Sequence, residues 1–241
     1  GVALKMDLTR PAATPAPAVL VIHGGAWRSG DRKQLPALNR YLTARGFVTA
    51  AIDYRLAPKY RFPEALADVK AAVAYLKEHA AEFGIDPDRL VLMGRSAGAH
   101  LAVVATYTLK DAAIRGAVSY YGPFALEWGY DQKCKVLDVK TVLGDFLGGS
   151  PREARDVYHA ASPYKLIHPE APPILMVQGE DDTMVAAAHC HHLIEHLEAA
   201  GRPYELVLVP RATHASDLAF SGPFGQIATW ATERFLWRVT R

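Results

Sequence analysis

The sequence predicts an α/β architecture, a mostly parallel central sheet covered by helices on both faces, and three observations carry that expectation. Short runs that are apolar on both faces, such as Ala18-Val19-Leu20-Val21-Ile22, alternate with amphipathic helical stretches. That alternation leads to right-handed crossovers and a sheet buried on both sides. The run Val91-Leu92-Met93-Gly94-Arg95-Ser96-Ala97-Gly98-Ala99-His100 passes from buried strand to helix with no loop between them. Half of the 241 residues are hydrophobic, enough for one large core, so 1–241 reads as a single domain.

Taken in order, Val2, Leu4, Met6 and Leu8 alternate as on an edge strand, and the proline-rich stretch Pro11 to Pro17 reads as a loop. The strand Ala18–Ile22 ends in His23-Gly24-Gly25-Ala26-Trp27. Asp31 and Gln34 have capping-box spacing, and Leu35, Leu38, Tyr41 and Leu42 form a helical stripe that stops at Gly46. Phe47 to Ile52 is the next buried strand and leads into Asp53-Tyr54-Arg55-Leu56-Ala57-Pro58. From Pro63, Leu66, Val69, Val73 and Leu76 mark a helix ending near Gly84, and Asp86-Pro87-Asp88 is expected to turn into the strand before Ser96.

Another strand is expected over 116–121. From Pro123 the alternation breaks for about fifty residues, and 123–172, following the strand that ends near Tyr121, is expected to be a short cap or lid insertion roofing the site. Strand 174–177, helix 186–200, strand 204–209 and an amphipathic helix over 224–239 complete the chain.

The chemistry-bearing stretch is Gly94-Arg95-Ser96-Ala97-Gly98. A strand-to-helix switch this tight pushes its apical residue toward positive φ and needs small neighbours, which is the Gly-x-Ser-x-Gly elbow that presents a serine hydroxyl at a helix N-terminus. A serine at its ordinary pKa needs a base, and the base needs an orienting acid, in the chain order serine, acid, histidine. The acid is expected after the strand ending at Val177. Asp182 is the choice, with Asp181 as the alternative, because the two are adjacent and the sequence alone does not say which points inward. The base is expected after the last strand, where His214 stands. The oxyanion that forms during acyl transfer calls for preset backbone donors. Ala97 supplies one, and Gly25 and Ala26 of the His-Gly-Gly-Ala-Trp loop supply the others. His23 is expected to brace that loop and Trp27 to pack beneath it or wall the acyl pocket, as a substrate-binding residue.

Several classes are disfavoured. Net charge is only +2 and the basic residues are scattered, which offers no footprint for nucleic acid or an anionic membrane. No apolar run approaches a membrane span. His189, His192 and His196 share a helical face where metal could bind, but they are expected on a solvated side, and neither metal nor cofactor is expected. Two cysteines, Cys134 and Cys190, are too few for a disulfide scaffold and are expected as free thiols. A cytoplasmic location is favoured over secretion, which stays open because the sequence begins at Gly1. The oligomeric state is not legible.

On these residues the sequence resembles the α/β-hydrolase superfamily of serine esterases over nearly its whole length. His-Gly-Gly-Ala-Trp, Asp53-Tyr54-Arg55-Leu56-Ala57-Pro58 and Gly94-Arg95-Ser96-Ala97-Gly98 are similar to the group of hormone-sensitive lipase and the acetyl-xylan, feruloyl and kynurenine-formamidase-type esterases. The resemblance implies a triad of Ser96, Asp182 and His214 and an oxyanion hole of Gly25, Ala26 and Ala97. The hormone-sensitive-lipase branch usually has a third glycine where Ala26 stands, an acidic residue at Arg95, a glycine at Ala99 and an N-terminal helical cap. Their absence favours the capless branch. The expected activity is hydrolysis of a small-molecule, short-chain carboxylic ester through an acyl-enzyme. An arylformamidase or small amidohydrolase, a feruloyl or acetyl-xylan esterase and, remotely, a non-catalytic binding module are the alternatives.

Overall fold

Seven strands form one sheet in the order β1-β3-β2-β4-β5-β6-β7, in a computed structural model that describes residues 2–241 and leaves Gly1 outside the described residues. β1 (Met6–Thr9) lies antiparallel to β3 (Val48–Ile52), and every other pairing is parallel. β2 (Ala16–Ile22), β4 (Ile85–Arg95), β5 (Ile114–Tyr120), β6 (Ile174–Gly179) and β7 (Tyr204–Val209) complete the sheet. The period-2 geometry of a strand divides the side chains of β2. Ala18, Leu20 and Ile22 pack with α2 (Glu64–Glu78) and α4 (Ala97–Leu109), whereas Val19 and Val21 pack with α1 (Pro36–Thr43) and α9 (Pro223–Val239). Because both faces are covered, β2 and β3 are buried at every position. α8 (Ala188–Ala199) sets Leu193 and Leu197 against Ile174 and Met176 on the face that α4 also covers.

The structure departs from the sequence reading at several boundaries. Val2 and Leu4 are exposed and precede β1. β2 begins at Ala16, inside the expected loop, and β4 runs through the expected turn at Asp86-Pro87-Asp88. Both extensions meet at one irregularity, where Ala16 pairs with Ile85 but Ala18 pairs with Leu90. Pro17 and Pro87 fall in this bulge, where the ladder asks neither for an amide. Asp31 caps only a single 3-10 turn, Arg32–Gln34, by accepting from the Lys33 amide at 2.7 Å, so the expected capping box is absent. The expected helix from Pro63 breaks at His79 into α2 and the single turn α3 (Ala80–Phe83), which Gly84 ends at φ 67°.

Segment 123–172 is helical. It holds α5 (Leu126–Tyr130), α6 (Val139–Leu147), α7 (Arg155–Ala161) and a 3-10 turn at Pro163–Leu166. Phe146 on α6 stacks on Trp27 at 4.4 Å, and the Phe62 amide donates to the Phe146 carbonyl at 2.8 Å, so the segment is fastened to the loops at the carboxyl ends of β2 and β3. Cys134 and Cys190 are free thiols. Among the described residues no helix is long and apolar enough to cross a membrane.

The elbow is as tight as its sequence requires. A Cβ on Gly94 would overlap the Gly98 carbonyl, and one on Gly98 would overlap the carbonyl oxygens of Ile22 and His23. Since backbone fills both sites, Gly98→Ala should destabilise the protein by about 2 kcal/mol or more, the scale of core overpacking. A urea midpoint equal to that of the wild type would contradict this contact.

Candidate active site

The carboxyl ends of β2, β4, β6 and β7 deliver the candidate groups to one chamber of about 420 Å³. Ser96 follows β4 directly and heads α4, with φ 49° and ψ −119°. Its amide donates to Tyr120 O at 2.9 Å and its carbonyl accepts from the His100 amide at 3.1 Å, which seats the strained residue between sheet and helix. His214 Nε2 stands 3.1 Å from Ser96 Oγ, and His214 Nδ1 stands 2.7 Å from Asp182 Oδ2.

Of the two adjacent aspartates, Asp182 is buried and faces His214, whereas Asp181 is exposed and its amide donates to Ala212 O at 3.0 Å. The Asp182 carboxylate is heavily solvated by protein. Oδ1 accepts from the amides of Met184 and Val185, both at 2.9 Å, and Oδ2 accepts from Gln178 Nε2 at 3.2 Å. These donors hold an acceptor-only group against Nδ1, which makes Nδ1 the donor and leaves Nε2 as an acceptor toward Ser96.

The His-Gly-Gly-Ala-Trp loop is bent by three successive positive φ angles, 122° at Gly25, 52° at Ala26 and 57° at Trp27. The Gly24 amide is satisfied by Gln34 Oε1 at 2.8 Å, whereas the amides of Gly25 and Ala26 donate to no group among the described residues. Ala97 is the first residue of α4, so its amide has no intrahelical acceptor. All three residues border the chamber with Ser96. His23 braces this loop as expected. Its Nδ1 bonds Gly24 O at 2.7 Å, and its ring stacks on Tyr54 at 4.2 Å. Trp27 borders the chamber but is only 4% exposed. Besides stacking on Phe146, it donates from Nε1 to His100 Nδ1 at 3.3 Å, while His100 Nε2 donates to Ala161 O at 2.7 Å. His100 therefore joins the glycine-rich loop, the elbow helix and α7.

Several residues at the site were not legible. Gln34 was expected to cap a helix and instead anchors the Gly24 amide. Arg95 bonds Asp217 Oδ1 at 2.8 Å and Tyr121 OH at 2.6 Å, and the Tyr121 hydroxyl donates to the same carboxylate oxygen. Arg95 and Asp217 are almost fully buried, and the Tyr121 ring packs 4.5 Å from the His214 ring, so this cluster clamps the His214 loop onto the elbow. His189, expected on a solvated face, is 5% exposed and takes amide hydrogens from Phe124 and Ala125 on Nδ1. The expectation fails there because segment 123–172 covers this part of α8. Among the described residues no group of three His, Cys, Asp or Glu side chains is arranged to hold a metal ion.

Two predictions follow from the buried polar groups. Burial lowers the pKa of His100 to about 4 and of His189 to about 3, against 6.5 for a free imidazole. The unfolded chain therefore takes up a proton at each site as the pH falls below 6.5, while the folded chain does not. Stability present above pH 6.5 should be lost toward pH 4, by about 3 kcal/mol per histidine, and urea titrations across that range read the loss directly. Asp217→Ala strands the Arg95 guanidinium in the interior and should cost about 3–5 kcal/mol. The double replacement Arg95→Met with Asp217→Leu should cost much less, and denaturation midpoints distinguish the two.

Comparison with known proteins gives the family and the fold. Esterase LipQ of Mycobacterium tuberculosis is 32% identical over 231 residues, covering 87% of this chain and 53% of its own. Isoprenylcysteine alpha-carbonyl methylesterase ICME of Arabidopsis thaliana is 30% identical over 237 residues, covering 91% and 55%. This chain thus spans about half the length of these curated relatives. The structure of Thermogutta terrifontis esterase Est2 with propionate bound superposes with a TM-score of 0.82 at 27% identity, covering 99% of this chain and 90% of that one. The fold is that of the α/β-hydrolase esterases. The BD-FAE family model matches residues 6–197, and the chain belongs to the BD-FAE family.

Proposed function

We propose that the protein is a serine carboxylesterase that hydrolyses short-chain carboxylic esters through an acyl-enzyme. The observation that carries this reading is the relay from Ser96 Oγ through His214 to Asp182, at 3.1 and 2.7 Å, beside backbone amides that have no partner among the described residues. In the proposed reaction Ser96 Oγ attacks the ester carbonyl carbon while its proton passes to His214 Nε2. Asp182 stabilises the imidazolium through Nδ1–H, and the amides of Gly25, Ala26 and Ala97 receive the oxyanion. Collapse of the tetrahedral adduct breaks the bond to the leaving alkoxide, which takes the proton from Nε2. Water then repeats the sequence on the acyl-enzyme and frees the acid.

Substrate size is argued from the chamber. Leu126, Leu143, Met184 and Val185 contribute an apolar lining to about 420 Å³, which suits a short acyl chain and a modest alcohol. Relatives bearing the name esterase, and the propionate held by Est2, support this choice. Segment 123–172 is proposed as the cap, because residues of α5 and α6 form one side of the chamber. Trp27 is proposed to shape its floor more than to touch substrate, given its burial.

The test uses p-nitrophenyl acetate with and without an organophosphonate probe. The wild type should turn over the ester and gain one phosphonyl adduct at Ser96 by peptide mass spectrometry. Ser96→Ala should lose roughly a million-fold in kcat with its circular dichroism unchanged. Substantial turnover by that variant would refute the assignment.

A further inference from the structure

Within the apolar chamber one ring carries a hydrogen-bonding edge that no group among the described residues meets. His189, on α8, accepts the Phe124 amide at 3.3 Å and the Ala125 amide at 3.2 Å, both on Nδ1. A ring nitrogen that accepts hydrogen bonds bears no proton, so the neutral imidazole must carry its proton on Nε2. Desolvation holds the ring neutral, with its pKa lowered to about 3. Trp128 stands perpendicular to the ring at 4.9 Å and limits its rotation.

The Nε2 edge has been left open. Nε2 has no hydrogen-bond partner among the described residues, although the residue is only 5% exposed. Gly129 faces this edge. A Cβ there would lie 2.9 Å from Cε1 and 3.2 Å from Nε2, and its absence keeps the edge uncovered. His189 and Gly129 both line the chamber that holds Ser96. A donor held open to the chamber, with no acceptor among the described residues, can give its hydrogen bond to whatever occupies that space, water or a substrate oxygen.

We infer that His189 Nε2–H is a fixed donor subsite that reads an acceptor oxygen on the substrate, so that the preferred esters carry an ether, carbonyl or hydroxyl oxygen near the scissile group. This rests on the hydrolase reading above and adds the substrate class. The oxygen can belong to the acyl or the alcohol part, and matched esters separate the two. p-Nitrophenyl ethoxyacetate against p-nitrophenyl pentanoate tests the acyl side, and 2-methoxyethyl acetate against butyl acetate tests the alcohol side. Each pair exchanges one methylene for oxygen, and intrinsic reactivity cancels when the kcat/KM ratio is compared between proteins.

His189→Asn retains an acceptor for the two amides but lacks Nε2–H, and Gly129→Ala keeps the imidazole but crowds its Cε1–Nε2 edge, at the cost of a small shift of the ring. In at least one pair, the preference for the oxygen ester should fall by about three- to tenfold in both variants, the worth of one neutral hydrogen bond. A change of less than about threefold in both pairs, with either variant, would overturn the inference. Nitrogen-15 NMR of the wild-type imidazoles provides a reading independent of either variant. His189 should be Nε2-protonated and should not titrate between pH 7 and about pH 5, and an Nδ1-protonated ring would equally overturn it. If the folded wild type hydrolyses none of the four esters and takes no phosphonate at Ser96, it is the hydrolase reading that fails first.

Discussion

The conformation of Ser96 is the constraint on which the rest depends. A non-glycine residue at φ 49° stores strain on the order of 1–3 kcal/mol and persists only when its surroundings over-determine it. They do so here from two sides. Gly94 and Gly98 let the end of β4, the start of α4 and the end of β2 approach until backbone touches backbone, and α4 is buried along most of its length. The benefit is positional. The hydroxyl stands clear of the sheet, and the first amides of a helix lie beside it, where negative charge is favoured.

Around that point the polar groups are arranged so that each loop of the site is tied to a strand or helix. Gly179 allows the Asp182 loop to lie against the His214 loop, where Glu180 and Asp181 amides bond Val209 and Ala212 carbonyls. Arg95 and Asp217 then fasten the His214 loop to the strand that carries Ser96. On the opposite side His100, Trp27 and Phe146 link the elbow helix, the glycine-rich loop and segment 123–172. A buried ion pair adds little to net stability compared with an apolar replacement, so its retention in this spot fits a geometric purpose better than an energetic one.

The loop Asp53 to Pro58 contributes in the same way without touching the chamber. Asp53 holds Arg32 at 2.9 Å, the Ala57 amide bonds Trp27 O at 2.8 Å, and Tyr54 covers His23. Arg55 pairs with Asp68 at 2.8 Å and with Glu64, which anchors the loop to α2. The result is a scaffold beneath Gly25 and Ala26, whose unusual backbone angles would otherwise relax.

Much of this molecule could be read from the chain alone, because the signals involved are short in range. Buried β-runs, helical stripes and the glycines flanking Ser96 are properties of consecutive residues, so the element order, the parallel sheet and the elbow were legible. The chain order serine, acid, histidine was legible too, since Ser96, the Asp181-Asp182 pair and His214 each follow a strand end. What only the tertiary structure decided was which polar group meets which. Asp182 rather than Asp181 faces His214, Gln34 reaches Gly24 instead of a helix cap, Asp217 joins Arg95 across 122 positions, and His189 turns inward beneath α5. Hydrogen bonds act over about 3 Å, and no periodicity in sequence encodes which distant segments come that close once the sheet has formed.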